Sequence, residues 1–101
     1  MAERERPKIR IRPPEGLEAF IPQYLELTRN DIEAAIADGS LAAWRTLGHN
    51  LRGSATSFGF GEVEAFGRAI EGHAARGSTE GALECALELR EYLDRVEIDQ
   101  S

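Results

Sequence analysis

Apolar positions recur at intervals of three and four residues through most of the chain after Pro14, which is the spacing of one face of an α-helix. The first such segment predicts a helix that begins around Ile21, after a short helical turn. Pro22 lies near its start, where a missing amide proton is tolerated, so the proline does not interrupt the helix. The sequence "ADGS" at 37–40 predicts its end.

Three further segments share this period and are separated by short breaks rich in glycine and serine. They predict helices from Leu41 to about Phe58, from Glu62 to about Ala75, and from about Thr79 to Val96. Gly39 is expected to end the first helix and Ser40 to cap the second. Because the connections are short, consecutive helices are expected to pack side by side. The sequence therefore predicts an all-α fold, an antiparallel up-down-up-down four-helix bundle with a short N-terminal extension.

Residues 1–14 differ from the rest of the chain because they are rich in charge and proline. Ile9 and Ile11 alternate with basic residues, a pattern that indicates a short extended arm. We predict an N-terminal arm over residues 1–14 and a bundle domain over residues 15–101. The arm is expected to pack against the domain, and a functional basic arm is the less favoured alternative.

Composition narrows the class of protein. The chain has 101 residues, of which 42% are hydrophobic and 30% charged, as expected for one globular domain. A net charge of −6 argues against nucleic acid as a partner, since phosphate binding needs a basic surface. Cys85 is the single cysteine, so no internal disulfide forms, which is compatible with a reducing compartment. No apolar run reaches membrane-spanning length and no signal peptide is visible, so a cytoplasmic protein without a membrane partner is expected.

The second predicted helix presents a histidine away from its apolar side. With Trp44 set at zero on a helical wheel, the apolar residues of the helix lie within about 60° and define the core direction. His49 lies at about 140° and Gly53 at about 180°, so both should face outward. The same strip carries Arg45, Arg52 and Thr56.

Gly53 is the unusual member of this strip. A glycine inside a helix costs about 1 kcal/mol of stability relative to alanine. At an exposed position, close packing against another helix cannot explain why glycine is present. It leaves space beside the imidazole of His49, and Arg52 could neutralise an anion there. This arrangement suits an imidazole that carries a phosphoryl group, while a solvated surface histidine is the plainer alternative. Gly48 lies near the core direction, where close helix packing is the simplest explanation.

The residues from His49 to Ala55, "HNLRGSA", resemble the H-x-L-K-G-S-A signature of histidine-containing phosphotransfer (HPt) domains. The following "SFGFGEVEAFGRAIE" is also similar to the family, in which an aromatic-Gly-Phe turn leads into the third helix. The resemblance covers residues 17–96. Arg52 stands where the family usually has lysine, so the charge is kept while the geometry of the donor changes.

The resemblance implies a phosphorelay protein. His49 would accept a phosphoryl group through Nε2 from the aspartyl phosphate of a response-regulator receiver domain and pass it to another receiver. Arg52 would stabilise the phosphate and Gly53 would give steric access. The expected docking surface adds Arg45, Thr46 and Thr56. The expected partners are a receiver domain and a hybrid sensor histidine kinase, with the receiver supplying Mg²⁺, so a monomer with no cofactor or metal site of its own is expected.

The sequence contains no ATP-binding motif of the P-loop or protein-kinase type, which predicts a phosphocarrier without autokinase activity. The alternative is a degenerate HPt-like binding module that regulates a receiver or kinase without carrying phosphate. A purely structural helical adaptor or homodimer is a third, weaker option.

The remaining candidate residues are assigned to structure. His73 continues the inner stripe of the third helix, and Cys85 lies near the apolar stripe of the fourth. A zinc site formed by these two residues and His49 is disfavoured, because no pair has a short ligand spacing. Three carboxylates of the third helix are interpreted as a solvated face: Glu62, Glu64 and Glu71.

Overall fold

The structure is a computed structural model and describes residues 9–55 and 58–98. Four helices account for most of these residues. They are α1 (Ile21–Asp38), α2 (Leu41–Ala55), α3 (Gly61–Ala75) and α4 (Thr79–Arg95). A 3₁₀ turn over Glu18–Phe20 precedes α1, as the sequence predicted. The predicted four-helix bundle is confirmed. Helix α3 begins one residue earlier than predicted, and α4 ends one residue earlier. Helix α2 is described only to Ala55, and Phe58 lies in a separate turn.

The breaks between helices have the predicted capping chemistry. Gly39 adopts a left-handed conformation with φ of 74°, and its amide donates to the carbonyl of Ala35 at 2.8 Å. The hydroxyl of Ser40 accepts from the amide of Ala43 at 3.1 Å at the start of α2. Ser78 caps α4 in the same way, accepting from the amide of Gly81 at 3.0 Å. These caps fix where one helix stops and the next begins.

Neighbouring helices run in opposite directions. The Arg29 guanidinium of α1 donates to the carbonyl of Leu93 at 2.9 Å, while Arg90 of α4 donates to Glu33 at 2.8 Å. Helices α1 and α4 are therefore antiparallel. Helices α2 and α3 are antiparallel too, since Gly48 lies against Glu71 and Leu51 lies against Gly67. The core between the helices contains Ile21, Ile32, Trp44, Leu51, Val63, Ile70, Leu89 and Leu93. Within the described residues, no helix is both long and apolar enough to cross a membrane.

A pair of short parallel strands lies beside the bundle. Strand β1 (Ile9–Ile11) pairs with β2 (Val96–Ile98) in the register Ile9 with Val96. The alternation in the arm predicted an extended segment but not its partner, because three residues at the end of a helix carry too little pattern. Pro13 is buried where the arm enters the domain. The boundary predicted between residues 14 and 15 stays a prediction.

Candidate functional site

His49 projects from the outer surface of α2, and its side chain is 75% exposed. The helix is oriented by three residues that are almost completely buried on its opposite side, Trp44, Leu47 and Leu51. The outward orientation expected from the helical wheel is therefore confirmed. One ring nitrogen faces the neighbouring helix α3, and the rest of the ring is accessible to a partner.

Gly53 lies one helical turn beyond His49 and faces open space. A Cβ atom added at this position would meet no other atom within 4 Å. The absence of a side chain here is therefore not required by packing within the described residues. The free volume lies on the same outer surface as the imidazole, as the helical wheel predicted.

Gly48 and Gly67 allow α2 and α3 to approach closely. A Cβ at Gly48 would lie 2.7 Å from the carbonyl oxygen of Gly67 and 2.7 Å from the amide nitrogen of Glu71. A Cβ at Gly67 would lie 2.7 Å from the Cβ of Leu51. These distances are well inside van der Waals contact, so only glycine fits at either position. Close helix packing, suggested by the position of Gly48 on the wheel, is confirmed.

This close approach brings Glu71 of α3 to the side of His49. Glu71 Oε1 accepts a hydrogen bond from Arg52 Nη1 at 2.6 Å, and its Oε2 lies 3.9 Å from His49 Nδ1. The second distance is too long for a hydrogen bond but short enough for electrostatic attraction. The interpretation of Glu71 as part of a solvated face was wrong. The signal that could have found it is the pair of glycines, which predicts an unusually close α2–α3 contact.

Glu71 and Arg52 form a charged pair on the edge of the site. The hydrogen bond from Arg52 lowers the pKa of Glu71 against the opposing effect of partial burial, and the positive charges of Arg52 and Arg45, together with His49 when its ring is protonated, also lower it. The same hydrogen bond raises the pKa of Arg52. The carboxylate and the guanidinium are therefore both charged at neutral pH. An anion held at His49 would meet a cation on the Arg52 side and a carboxylate on the Nδ1 side.

The other predicted docking residues are divided between two sides of α2. Arg45 is exposed and adds its charge on the side of Glu71, whereas Thr46 is exposed on the side of α1. Thr56 lies outside the described residues. The structure thus places Arg45, His49 and Arg52 near Glu71, whose role the sequence did not predict. Gly53 lies on the open surface one turn beyond His49, and Thr46 lies on the flank.

The zinc alternative receives no support from the described residues, among which no group of three or more histidine, cysteine or acidic side chains could hold a metal ion. His73 is half-buried, with its ring against Gly81 and its Nδ1 3.3 Å from Arg76 Nη2. Cys85 is half-buried on α4, and burial raises the pKa of its thiol, with Glu88 and Glu84 adding to the effect. Both residues contribute to packing, as predicted.

Comparison with known proteins places this arrangement in a family. The sequence matches the family profile of the Hpt domain over residues 17–99, which is most of the chain. No curated protein and no solved structure gives a significant match. The matched region contains all four helices and the strip around His49. The chain therefore belongs to the Hpt domain family, whose members are phosphocarriers in histidine phosphorelays.

Proposed function

We propose that His49 carries the phosphoryl group and exchanges it with aspartyl phosphates on receiver domains. The observation that supports this most strongly is an exposed imidazole beside the open surface of Gly53, with Arg52 and Glu71 on its inner edge. The neutral form of an imidazole is the nucleophile, because its unprotonated ring nitrogen keeps a free lone pair.

In the proposed step, Nε2 attacks the phosphorus of the receiver's aspartyl phosphate in line with the departing carboxylate oxygen. The phosphorus–oxygen bond breaks, the phosphorus–nitrogen bond forms, and the aspartate leaves as a free carboxylate. Reversal of the step passes the group to a second receiver. Such transfers depend mainly on positioning and charge stabilisation rather than on covalent help from the protein.

Glu71 and Arg52 have complementary roles in this proposal. Phosphorylation at Nε2 leaves the ring cationic while Nδ1 keeps its proton, and the Glu71 carboxylate lies on that side of the ring. The phosphoryl group adds about two negative charges, which attract the Arg52 guanidinium. Arg52 is 41% exposed and so has room to move from Glu71 towards the phosphoryl oxygens. The planar guanidinium carries several donors, so it can contact the Glu71 carboxylate and the phosphoryl group at once.

The proposal assigns the rest of the chemistry to the partners. A hybrid sensor histidine kinase is the expected source of the phosphoryl group, through its receiver domain. The receiver is expected to supply Mg²⁺, and this chain is proposed to act as a monomer in the cytoplasm without autokinase activity. Arg45, Thr46 and Thr56 are proposed to contact the receiver around His49.

The test uses the two histidines of the chain as a matched pair. Receiver domains of the source organism are phosphorylated with radiolabelled acetyl phosphate and mixed with the wild-type protein, with His49→Gln and with His73→Gln. We expect an acid-labile, base-stable label on the wild type and on His73→Gln, and none on His49→Gln. Label that persists on His49→Gln contradicts the assignment. Receiver binding and regulation that survive in a wild type which never becomes labelled would favour the non-catalytic binding module.

A further inference from the structure

The last described turn of α2 carries two residues of the candidate site, Arg52 and Gly53, and ends at Ala55. Glycine is a poor helix former, because its backbone loses more conformational freedom on folding than that of any other residue. The glycine that leaves space beside His49 therefore also weakens the turn that supports Arg52. A loosened turn would move the Arg52 guanidinium away from Glu71, so contacts from outside the helix are needed to hold it.

The loop that follows α2 supplies part of this support. The amide of Phe60 donates to the carbonyl of Ala55 at 3.0 Å, and both residues are completely buried. Phe58 and Phe60 stack on the ring of Tyr24 in α1, with centroid distances of 4.6 and 5.4 Å. Aromatic pairs at such distances attract each other beyond the effect of their buried area. Helix α1 thus holds the end of α2 through two aromatic side chains of the loop.

The N-terminal arm contacts the same loop at Gly59, which lies between the two phenylalanines. Gly59 adopts a left-handed conformation with φ of 80°. A Cβ atom added to it would lie 3.2 Å from the Cδ of Pro14 and 3.8 Å from the carbonyl oxygen of Arg12. The arm therefore packs directly on the bare Cα of this glycine. The loop has two supports, the ring of Tyr24 and the arm.

The arm is itself fixed at several points. Strand β1 pairs with β2, the side chain of Pro13 is buried, and Ile11 and Val96 pack against the core. The carbonyl of Pro14 accepts from the amide of Leu17 at 3.1 Å, which joins the arm to the turn before α1. A sheet of two short strands is only marginally stable. We therefore expect the arm to open at a lower free energy than the bundle unfolds.

We propose that residues 9–14 form a strap that holds the last turn of α2 in place and so positions Arg52 for phosphoryl transfer. When the strap is closed, the arm confines the loop at Gly59. When it opens, the loop and the last turn of α2 loosen, and the guanidinium leaves its place beside the imidazole. The strap compensates for the helix weakness that Gly53 introduces. Only its kinetic consequence rests on the proposed function of His49.

Two glycines with the same backbone conformation provide a matched pair of variants. Gly59→Ala places a methyl group in a left-handed position and pushes it against Pro14. Gly77→Ala is the control, because Gly77 has φ of 78° but an added Cβ meets no described atom within 4 Å. Both changes introduce similar backbone strain, and only the first disturbs the strap. Ile11→Ser weakens the strap by a change within the arm itself.

Amide hydrogen exchange, followed by NMR, reports the state of the strap without any phosphoryl transfer. Exchange at Phe60 reports loosening of the loop, while exchange at Leu89 in the core of α4 reports global unfolding. We expect Gly59→Ala and Ile11→Ser to accelerate exchange at Phe60 by roughly tenfold or more relative to Leu89. Gly77→Ala should not accelerate exchange at Phe60 more than at Leu89.

A double-mutant cycle tests the contact between arm and loop. Pro14→Ala removes the Cδ that the new methyl group would meet. The combined effect of Gly59→Ala and Pro14→Ala on the unfolding constant should therefore be smaller than the product of the single effects, whereas Gly77→Ala and Pro14→Ala should multiply. With a phosphorylated receiver, Gly59→Ala and Ile11→Ser should lower kcat roughly threefold or more with little change in KM, and Gly77→Ala should not.

Three results would overturn the inference. Exchange at Phe60 that rises only in step with Leu89 in every variant would show that the arm does not hold the end of α2. Equal kcat values in the two glycine variants would reject the positioning role of the strap. A dimer of this chain that Ile11→Ser dissociates would assign the arm to a second copy. The expected exchange pattern, with no phosphorylation of His49 by any receiver, would support the strap and reject the proposed transfer.

Discussion

Alanine at position 48 tests the claim that two glycines set the distance between α2 and α3. The added Cβ would lie 2.7 Å from the Gly67 oxygen and from the Glu71 amide nitrogen, both of them backbone atoms. Ordinary contacts start near 3.4 Å, so the helices must separate by about 0.7 Å. Backbone atoms inside two packed helices cannot rotate away, unlike the end of a flexible side chain.

The free-energy change combines two opposite effects. Alanine is a better helix former than glycine by about 1 kcal/mol, which stabilises α2. Overpacking a tight contact costs about 1–3 kcal/mol and sometimes more. At Gly48 we expect the steric effect to be at the upper end of that range, because Leu51 and Gly67 are also in close contact. The net expectation is a loss of about 1–2 kcal/mol in the free energy of unfolding.

Gly53→Ala is the matched control, since it makes the same chemical change five residues further along the same helix. No atom lies within 4 Å of a Cβ at this position, so only the propensity effect remains. We expect the control to stabilise the protein by roughly 0.5–1 kcal/mol. If Gly53 is retained for access to His49, the same variant should transfer phosphate more slowly than the wild type despite its greater stability.

Both variants are measured by urea unfolding at pH 7, with circular dichroism as the signal and the slope of the transition compared with that of the wild type. The prediction is a change of opposite sign at the two positions. Equal stabilisation at both positions would show that the α2–α3 distance relaxes without cost, and the explanation of Gly48 would fail. Equal destabilisation would mean that Gly53 has a packing role that its open surroundings do not reveal.

Three further predictions concern single side chains. Arg52→Ala should slow transfer to His49 roughly tenfold, and Arg52→Lys should restore much of it, because a charge-assisted contact to phosphate is lost in the first and partly kept in the second. The pKa of Glu71 is lowered in the folded protein from its ordinary 4.5. The ionised carboxylate therefore stabilises the protein above pH 4.5, and this stabilisation is lost as the pH falls through the lowered pKa. In urea unfolding from pH 3 to 7, the free energy of unfolding should change less steeply with pH in Glu71→Gln than in the wild type. Burial first, and then Glu62 and Tyr24, raise the pKa of Tyr92 from 10.0 to about 12, so the wild type should lose up to about 1.4 kcal/mol per pH unit above pH 10, and Tyr92→Phe should not. The Tyr92 hydroxyl has no hydrogen-bond partner among the described residues, so at pH 7 the phenylalanine variant should be at least as stable as the wild type.

Contrary results would be specific to each side chain. Wild-type transfer by Arg52→Ala would remove the guanidinium from the mechanism. An unchanged acid-range slope in Glu71→Gln would mean that the pair with Arg52 does not hold the carboxylate in solution. A loss of more than about 1 kcal/mol at pH 7 in Tyr92→Phe would imply a hydrogen bond to the hydroxyl.

The periodic pattern predicted the helices, their caps and the outward orientation of His49, because each depends on residues that are close together in the sequence. Glu71 was assigned incorrectly because its role depends on a contact between two helices, and the spacing of polar residues along α3 does not encode that contact. Strand β2 was missed because its three residues carry too little pattern and because its partner β1 lies at the other end of the chain.

The central claim is that His49 carries the phosphoryl group, and its most direct test is to locate the phosphorus–nitrogen bond. The protein is labelled with ¹⁵N-histidine, phosphorylated by a cognate receiver and examined by NMR through the coupling of ¹⁵N to ³¹P. The account predicts one phosphorylated nitrogen, Nε2 of His49, with the proton on the Nδ1 that faces Glu71. Phosphorus on His73, on Nδ1 of His49, or on neither histidine would contradict it.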